Sequence, residues 1–583
     1  METKRNFEDR AISQQRERLW AAALIVIILL LGAALLWCNL DARDVRGKDE
    51  NASIIKLDQP NMRVVLKASG MKANGQPSPM QPLYFLVQHL FWPVVRRSAF
   101  VLRFLPSVFG ILAIALTYKL GEVLWNRAAG LAGALLVAVL PLQIEYGQTI
   151  RPYALLTMLS LASLYLLVRA LRTNKPIDWA GFAMMATLNV YNHFNAFFVL
   201  AIEGLFTAVV WLVALIATLK ERQGQGSGPR QLTWLAGPVI GFLAVGILCL
   251  PAFIRFMRLD MVGGEGEVAV EFAAPFFSHF LYNIGLTTAW LRGLILGLMF
   301  LGLVATLFYR RWQAALLAVL WLAVPFTILA VLIVRPFAER YVIFVPPVAL
   351  LLAGQGVATV GQSLGVLGRR WLGRDGERAI TITIAAGLAL FFLSPLHTYY
   401  ATIRTPSRME QMLAVVEQHA RPGDVVIVSP RFFVRPLAVD GATVLYLTKH
   451  PTPAEMDDLT AHYQRMWILY SSYIVPVELR EPLDRWVQAQ QDGLVRVRIK
   501  ASTALAYGNR ALADPEANLK DRIAFLEDIV QIPGDEKETS LRYNTLADVY
   551  QSLSDLHTSR GELALAAEYQ RKADEARAAA PLP

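Results

Sequence analysis

Met80-Gln81-Pro82-Leu83-Tyr84-Phe85-Leu86-Val87-Gln88-His89-Leu90-Phe91-Trp92 is the stretch on which the topology turns. If it crosses a membrane, every later segment is inverted. If it lies in the interface, the loops keep a consistent charge pattern. Its apolar residues Leu83, Tyr84, Val87, Leu90 and Phe91 recur at helical spacing, while Gln81 and Gln88 fall on another face. That spacing predicts a helix lying along the membrane surface. The basic loops favour the same reading. Lys4, Arg5, Arg10, Arg16 and Arg18 hold the N-terminus inside, and further basic groups follow at Arg169–Lys175, Lys220–Arg230, Arg310–Arg311 and Arg369–Arg378.

Working outward, about eleven spans are expected, at residues 20–40, 102–120, 128–144, 153–170, 178–192, 195–219, 231–253, 287–309, 312–334, 341–363 and 379–397. Each is near the roughly 20 residues that cross a bilayer. Charged residues make up 17% of the 583, below the roughly 25% of a soluble domain, and mean hydropathy is +0.40. The net charge of +10 sits in short loops, as an orientation signal does, and gives no case for a nucleic-acid partner. Cys38 and Cys249 lie in separate spans, so no disulfide framework is implied. The first span is too long for a cleaved signal and is read as retained.

The expected architecture is a polytopic α-helical membrane protein with about eleven spans plus interfacial helices, a C-terminal extracytoplasmic α/β domain and a helical tail. Residues 1–19 form a cytoplasmic N-terminus. Residues 20–397 form the membrane domain, with a first outer loop at 41–101. Past residue 398, apolar runs at Val425–Val428, Val444–Leu447, Trp467–Tyr470 and Leu494–Ile499 alternate with helical stretches. This alternation predicts a small parallel α/β domain over 398–512. No glycine-rich phosphate loop follows a strand. Residues 513–583 read as helices with a weak likeness to one tetratricopeptide hairpin, hence a cap or docking surface.

The first outer loop carries the candidate chemistry. Asp49 and Glu50 are adjacent carboxylates just beyond the first span. Helix capping by Asp49 or Asn51 is the plain alternative. Neighbouring side chains on a helix do not share a face, so one of the pair is the central group and the other orients it. Arg151, Arg335 and Arg340 sit on the same side, against the charge bias. A guanidinium fork suits phosphate and keeps its charge when partly desolvated. Pairing of Arg340 with Glu339, as a simple helix anchor, is the alternative for that residue.

These residues carry a resemblance. Asp49–Glu50, then Gln81-Pro82-Leu83-Tyr84-Phe85-Leu86 and His89, resemble the acidic pair and the "PPLYYLLLH" string of bacterial membrane glycosyltransferases of the C-type fold. These are related to protein O-mannosyltransferases and to the aminoarabinose transferase of lipid A. Arg103-Phe104-Leu105-Pro106-Ser107, Tyr146-Gly147-Gln148-Thr149-Ile150-Arg151-Pro152-Tyr153, Tyr191-Asn192-His193-Phe194 and Glu339-Arg340-Tyr341 resemble later motifs, in order. Pro422-Gly423-Asp424 resembles the start of the soluble domain many relatives carry. Two positions depart: Thr149 stands where the family has glutamate, and Gln81 replaces the first proline. Glu145 is the substitute acid nearest Thr149.

The resemblance implies a polyprenyl-phosphate-linked sugar donor and transfer to an acceptor hydroxyl, on a lipid, glycan or protein, with inversion at the outer face of the bacterial inner membrane. It makes Asp49 the catalytic carboxylate and Glu50 its companion. It places Arg151, Arg340, Tyr146, Gln148, His193, Tyr84 and His89 about the substrate and lipid phosphate. It permits a divalent metal and assigns no ligand to one. An oligosaccharide ligase, a transporter and a non-catalytic scaffold are the rival readings. A transporter normally places its charges near the midplane, often in two related halves.

Overall fold

The computed structural model describes residues 2–42, 50, 53–54, 56–57, 59–70, 81–91, 99–222, 230–257, 280–282, 285–332, 339–372, 376–404, 408–429, 437–447, 450–463, 465–471, 477–490, 494–500, 503–509, 514–534 and 536–581. Asp49 and Arg335 lie outside the described residues.

The first helix, α1 (Glu2–Trp37), is followed by two eight-residue helices, α2 (Met62–Ser69) and α3 (Leu83–Leu90). At about 1.5 Å per residue, α3 reaches only about 12 Å and cannot cross a bilayer core of about 30 Å. The bundle continues with α4 (Ala99–Leu124), α5 (Arg127–Ala138), α6 (Pro141–Gly147), α7 (Tyr153–Thr173) and α8 (Pro176–Asn192). Next come α9 (Ala196–Arg222), α10 (Arg230–Met257), α11 (Ala289–Phe308) and α12 (Trp312–Leu332). After a 3-10 turn at Glu339–Val342 come α13 (Val345–Leu372), α14 (Gly376–Phe391) and α15 (Leu393–Arg404).

Among the described residues, nine helices are long and apolar enough to cross a membrane. The pair α5 and α6, bent by 63°, would make a tenth. The span expected at 178–192 coincides with α8, which has 17 residues. Large apolar side chains such as Phe300, Phe308 and Ile240 point outward, as lipid-facing residues do. Inside, small residues set the helix spacing. A methyl group on Gly356 of α13 would fall inside van der Waals contact of the Leu298 carbonyl of α11, so these two backbones touch directly.

Among the described residues the C-terminal region holds a five-stranded sheet in the order β2-β1-β3-β5-β4. Its strands are β1 (Val425–Ser429), β2 (Thr443–Tyr446), β3 (Arg465–Ser471), β4 (Leu494–Lys500) and β5 (Thr503–Asn509). β1 pairs in parallel with β2 and β3, as expected, but β5 runs antiparallel to both β3 and β4. The wholly parallel expectation is therefore corrected to a mixed sheet. The link from Lys500 to Thr503 is too short for the crossover a parallel pair needs.

Helix α16 (Arg408–His419) precedes the sheet, and α17 (Pro453–His462) and α18 (Val477–Ala489) connect strands. The last three helices are α19 (Pro515–Val530), α20 (Glu536–Ser559) and α21 (Leu563–Ala579). Alternation along the strands divides the core. Val426, Val428, Trp467, Leu505 and Tyr507 pack on α16, α19 and α20, while Ile427, Ile468 and Ala506 pack on Met456, Leu483 and Trp486. The Trp467 ring meets Phe525 of α19 at 5.4 Å. The helical tail thus covers one face of the sheet.

Candidate functional site

The site is built around one buried ion pair. Arg103, near the start of α4, is fully buried, and so is Glu50. Arg103 donates through Nη2 to Glu50 Oε2 at 3.0 Å and through Nε to Oε1 at 3.4 Å. It also donates through Nη1 to the Leu40 carbonyl at 3.3 Å. The backbone N–H of Ile150 donates to Glu50 Oε1 at 2.9 Å. Glu50 therefore ties together the outer loop, α4 and the turn after α6. Desolvated charges need such complete pairing.

Gln148 is placed differently from expectation. Its Nε2 donates to the carbonyls of Leu36 and Cys38, both at 2.9 Å, and of Leu35 at 3.3 Å. Its Oε1 accepts from the Tyr399 hydroxyl at 2.8 Å. Those carbonyls end α1 and need donors. Gln148 therefore terminates the first span, and its amide is occupied by the protein itself. His89 likewise serves the loop, with Nδ1 3.1 Å from the Leu57 carbonyl.

The remaining expected residues converge. Tyr146 hydrogen-bonds to Arg340. Its ring meets Tyr153 edge-on at 5.0 Å, and Tyr153 lies 5.3 Å from the His193 ring. Arg151, almost buried, stands over the Tyr153 ring at 5.5 Å and donates through Nη1 to Ser53 Oγ at 3.5 Å. Asn195 donates to the Tyr341 carbonyl at 2.9 Å and so ties the His193 turn to the 3-10 turn that carries Arg340. His193 Nδ1 accepts the Asn195 N–H at 3.1 Å. In this interhelical turn, burial and then Arg151 push its pKa down to about 3, so the ring is neutral. Tyr84 is fully buried, feels the charges of Glu50, Arg151 and Arg103, and its hydroxyl has no hydrogen-bond partner among the described residues.

Two cations were missed in the sequence. Lys56, buried in the outer loop, donates through Nζ to the Ser69 carbonyl at 3.0 Å and lies 5.6 Å from the Phe85 ring centre. Its pKa is pushed down to about 7 by burial first, then by Arg151 and Arg255. Arg255 lies against Gly70 at the end of α2, its Nη2 3.0 Å from where a Cβ would stand. Lys56 and Arg255 therefore both reach the end of α2, and Arg151 bonds Ser53 of the same loop, a set of three cations of the kind that suits a phosphate. The only local signal for Lys56 was a lysine set among Ile54, Ile55 and Leu57. Arg255 looked like an ordinary flank to an apolar run.

Thr149 donates to the Glu145 backbone carbonyl at 2.6 Å, and the Glu145 side chain is exposed. Among the described residues no three His, Cys, Asp or Glu side chains gather as metal ligands would.

Residues 76–225 match the family model described as dolichyl-phosphate-mannose-protein mannosyltransferase. The structure of ArnT from Cupriavidus metallidurans in the apo state is similar, with a TM-score of 0.53 and 14% identity over 85% of this chain and 99% of that one. The same protein bound to undecaprenyl phosphate gives 0.50 and 15% identity over 84% and 99%. No curated protein matches in sequence. At such identities the likeness speaks to architecture: the chain has the C-type fold of membrane glycosyltransferases that its motifs led us to expect.

Proposed function

We propose that the protein transfers a sugar from a polyprenyl-phosphate-linked donor to an acceptor hydroxyl, with inversion, at the outer face of the bacterial inner membrane. The observation that carries this reading is the placement of Lys56 and Arg255 at the end of α2 and of Arg151 on Ser53, beside the loop pinned by Glu50. The description of ArnT as bound to undecaprenyl phosphate supports a lipid-phosphate ligand for a chain of this fold.

In the reaction, the acceptor oxygen bonds to the anomeric carbon as the bond from that carbon to the donor phosphate breaks. The hydroxyl proton passes to Asp49, which directly precedes Glu50 in the chain. A free aspartate has a pKa of about 3.9, and partial burial would raise its basicity. General-base help of this kind is worth about 10²–10⁴ in rate. The leaving lipid phosphate gains negative charge, which Lys56, Arg151 and Arg255 stabilise, with Arg340, the hydrogen-bond partner of Tyr146, as a further cation. Neutral His193 and the Tyr84 hydroxyl are left to hydrogen-bond the sugar or phosphate. In this reading Gln148 and His89 position the backbone around the site, and Glu50 orients the loop bearing Asp49.

The test compares a deletion strain complemented with the native chain or with Asp49→Asn. Loss of one glycan or lipid modification in the deletion, restored by the native chain and not by the variant at equal membrane abundance, is the expected result. Full restoration by Asp49→Asn would remove Asp49 from the chemistry and favour a scaffold.

A further inference from the structure

The far end of α1 holds a cavity remote from the proposed transfer site. α1, α5 and α14 separate there and enclose about 490 Å³. Leu24, Ile27 and Leu31 of α1, Leu135 of α5 and Ile382 of α14 form apolar walls. Arg16, Arg127 and Arg378, near the starts of the segments that line it, stand at the polar end with a single carboxylate, Glu17. Glu122, just outside the lining, adds a second carboxylate through Arg127, so three guanidiniums stand against two acids and cations still outnumber them at that rim. Glu17 accepts from Arg378, and Arg127 Nε donates to Glu122 at 2.8 Å, while Arg16 is exposed.

The dimensions limit the occupant. Trp20 to Leu31 spans about 16 Å of helix at about 1.5 Å per residue, close to one leaflet of a 30 Å hydrocarbon core. From Arg16 to Trp37, where the Glu50 site begins, is about 30 Å, so the two sites face opposite membrane surfaces. A chain of one-leaflet length fits the walls, and a phosphate headgroup fits the guanidinium rim. A polyprenyl chain, much longer than one leaflet, does not match this depth. Basic recesses between membrane helices are suited to anionic headgroups.

We propose that this cavity binds one anionic phospholipid, its acyl chain between α1, α5 and α14 and its phosphate on Arg16, Arg127 and Arg378. The lipid fills the gap between α1 and its neighbours at the end remote from the reaction.

The test is native mass spectrometry of the purified full-length protein, titrated separately with phosphatidylglycerol, phosphatidylcholine and polyprenyl phosphate. Two variants keep the outcome readable. Arg16→Glu reverses one rim charge at an exposed position, and Ala379→Trp fills the rim without altering charge. Phosphatidylglycerol should bind more tightly than phosphatidylcholine, and each variant should weaken it by about tenfold, as loss of a headgroup cation or of space would. Equal binding of both phospholipids overturns the charge argument. Unchanged binding in Ala379→Trp overturns the location. Polyprenyl phosphate lost in Ala379→Trp, with phosphatidylglycerol unaffected, overturns the choice of lipid.

Discussion

Arg103→Met strips Glu50 of its guanidinium while leaving the carboxylate buried. Breaking one side of a buried pair typically costs about 3–5 kcal/mol. The variant should unfold at clearly lower temperature in detergent, and Glu50→Gln added to Arg103→Met should recover part of the loss. A double variant no more stable than the single one would contradict the pairing account. Lys56 makes a second residue-scale prediction, through pH. Its folded pKa, about 7, lies below the ordinary lysine value of 10.5. Between these values the unfolded chain holds the proton that the folded one has released. The Lys56 contribution to stability therefore rises as pH climbs from about 7 towards 10.5, and the full penalty applies below about 7. Binding of a phosphate has the opposite preference, because it needs the charged ammonium. Lipid-phosphate affinity should fall as pH rises through about 7, and Lys56→Met should flatten that fall in a fluorescence titration with polyprenyl phosphate. An unchanged profile in Lys56→Met would detach this residue from the phosphate.

At the scale of elements, the crossing of α11 and α13 depends on bare backbone. Gly356→Leu would push a side chain into the Leu298 carbonyl, and overpacking of this kind costs about 1–3 kcal/mol. Reduced yield of monodisperse protein on size exclusion is the expected outcome, and native yield with native melting would show that the helices can separate freely. The elements also show what could be read in advance. The helical spacing of Leu83, Tyr84, Val87, Leu90 and Phe91 defined α3 because an amphipathic period is local. β5 escaped notice because Thr503-Ala504-Leu505-Ala506-Tyr507-Gly508-Asn509 is rich in small residues with weak strand preference. Its place between β3 and β4 is set by pairing with both neighbours, an effect distributed over distant chain segments.

For the whole molecule, the proposed orientation puts the Glu50 end of α1 outside and the Arg16 end inside. In a Cys38→Ser background, Lys67→Cys on exposed α2 should react with a membrane-impermeant maleimide in intact cells, and Arg18→Cys should not. The reverse pattern would invert the topology and the reaction face with it. Hydropathy, loop charge and ordered motifs were enough to reveal a polytopic membrane protein of this fold, because each is a property of contiguous residues. Only the tertiary structure decided which charged groups meet. Glu50 found Arg103, 53 residues on. Gln148 turned to the end of α1, and Lys56 and Arg255 joined Arg151. Whether an ionisable side chain braces the fold or stands in a site depends on what surrounds it after folding, and those neighbours come from segments that the linear chain keeps far apart.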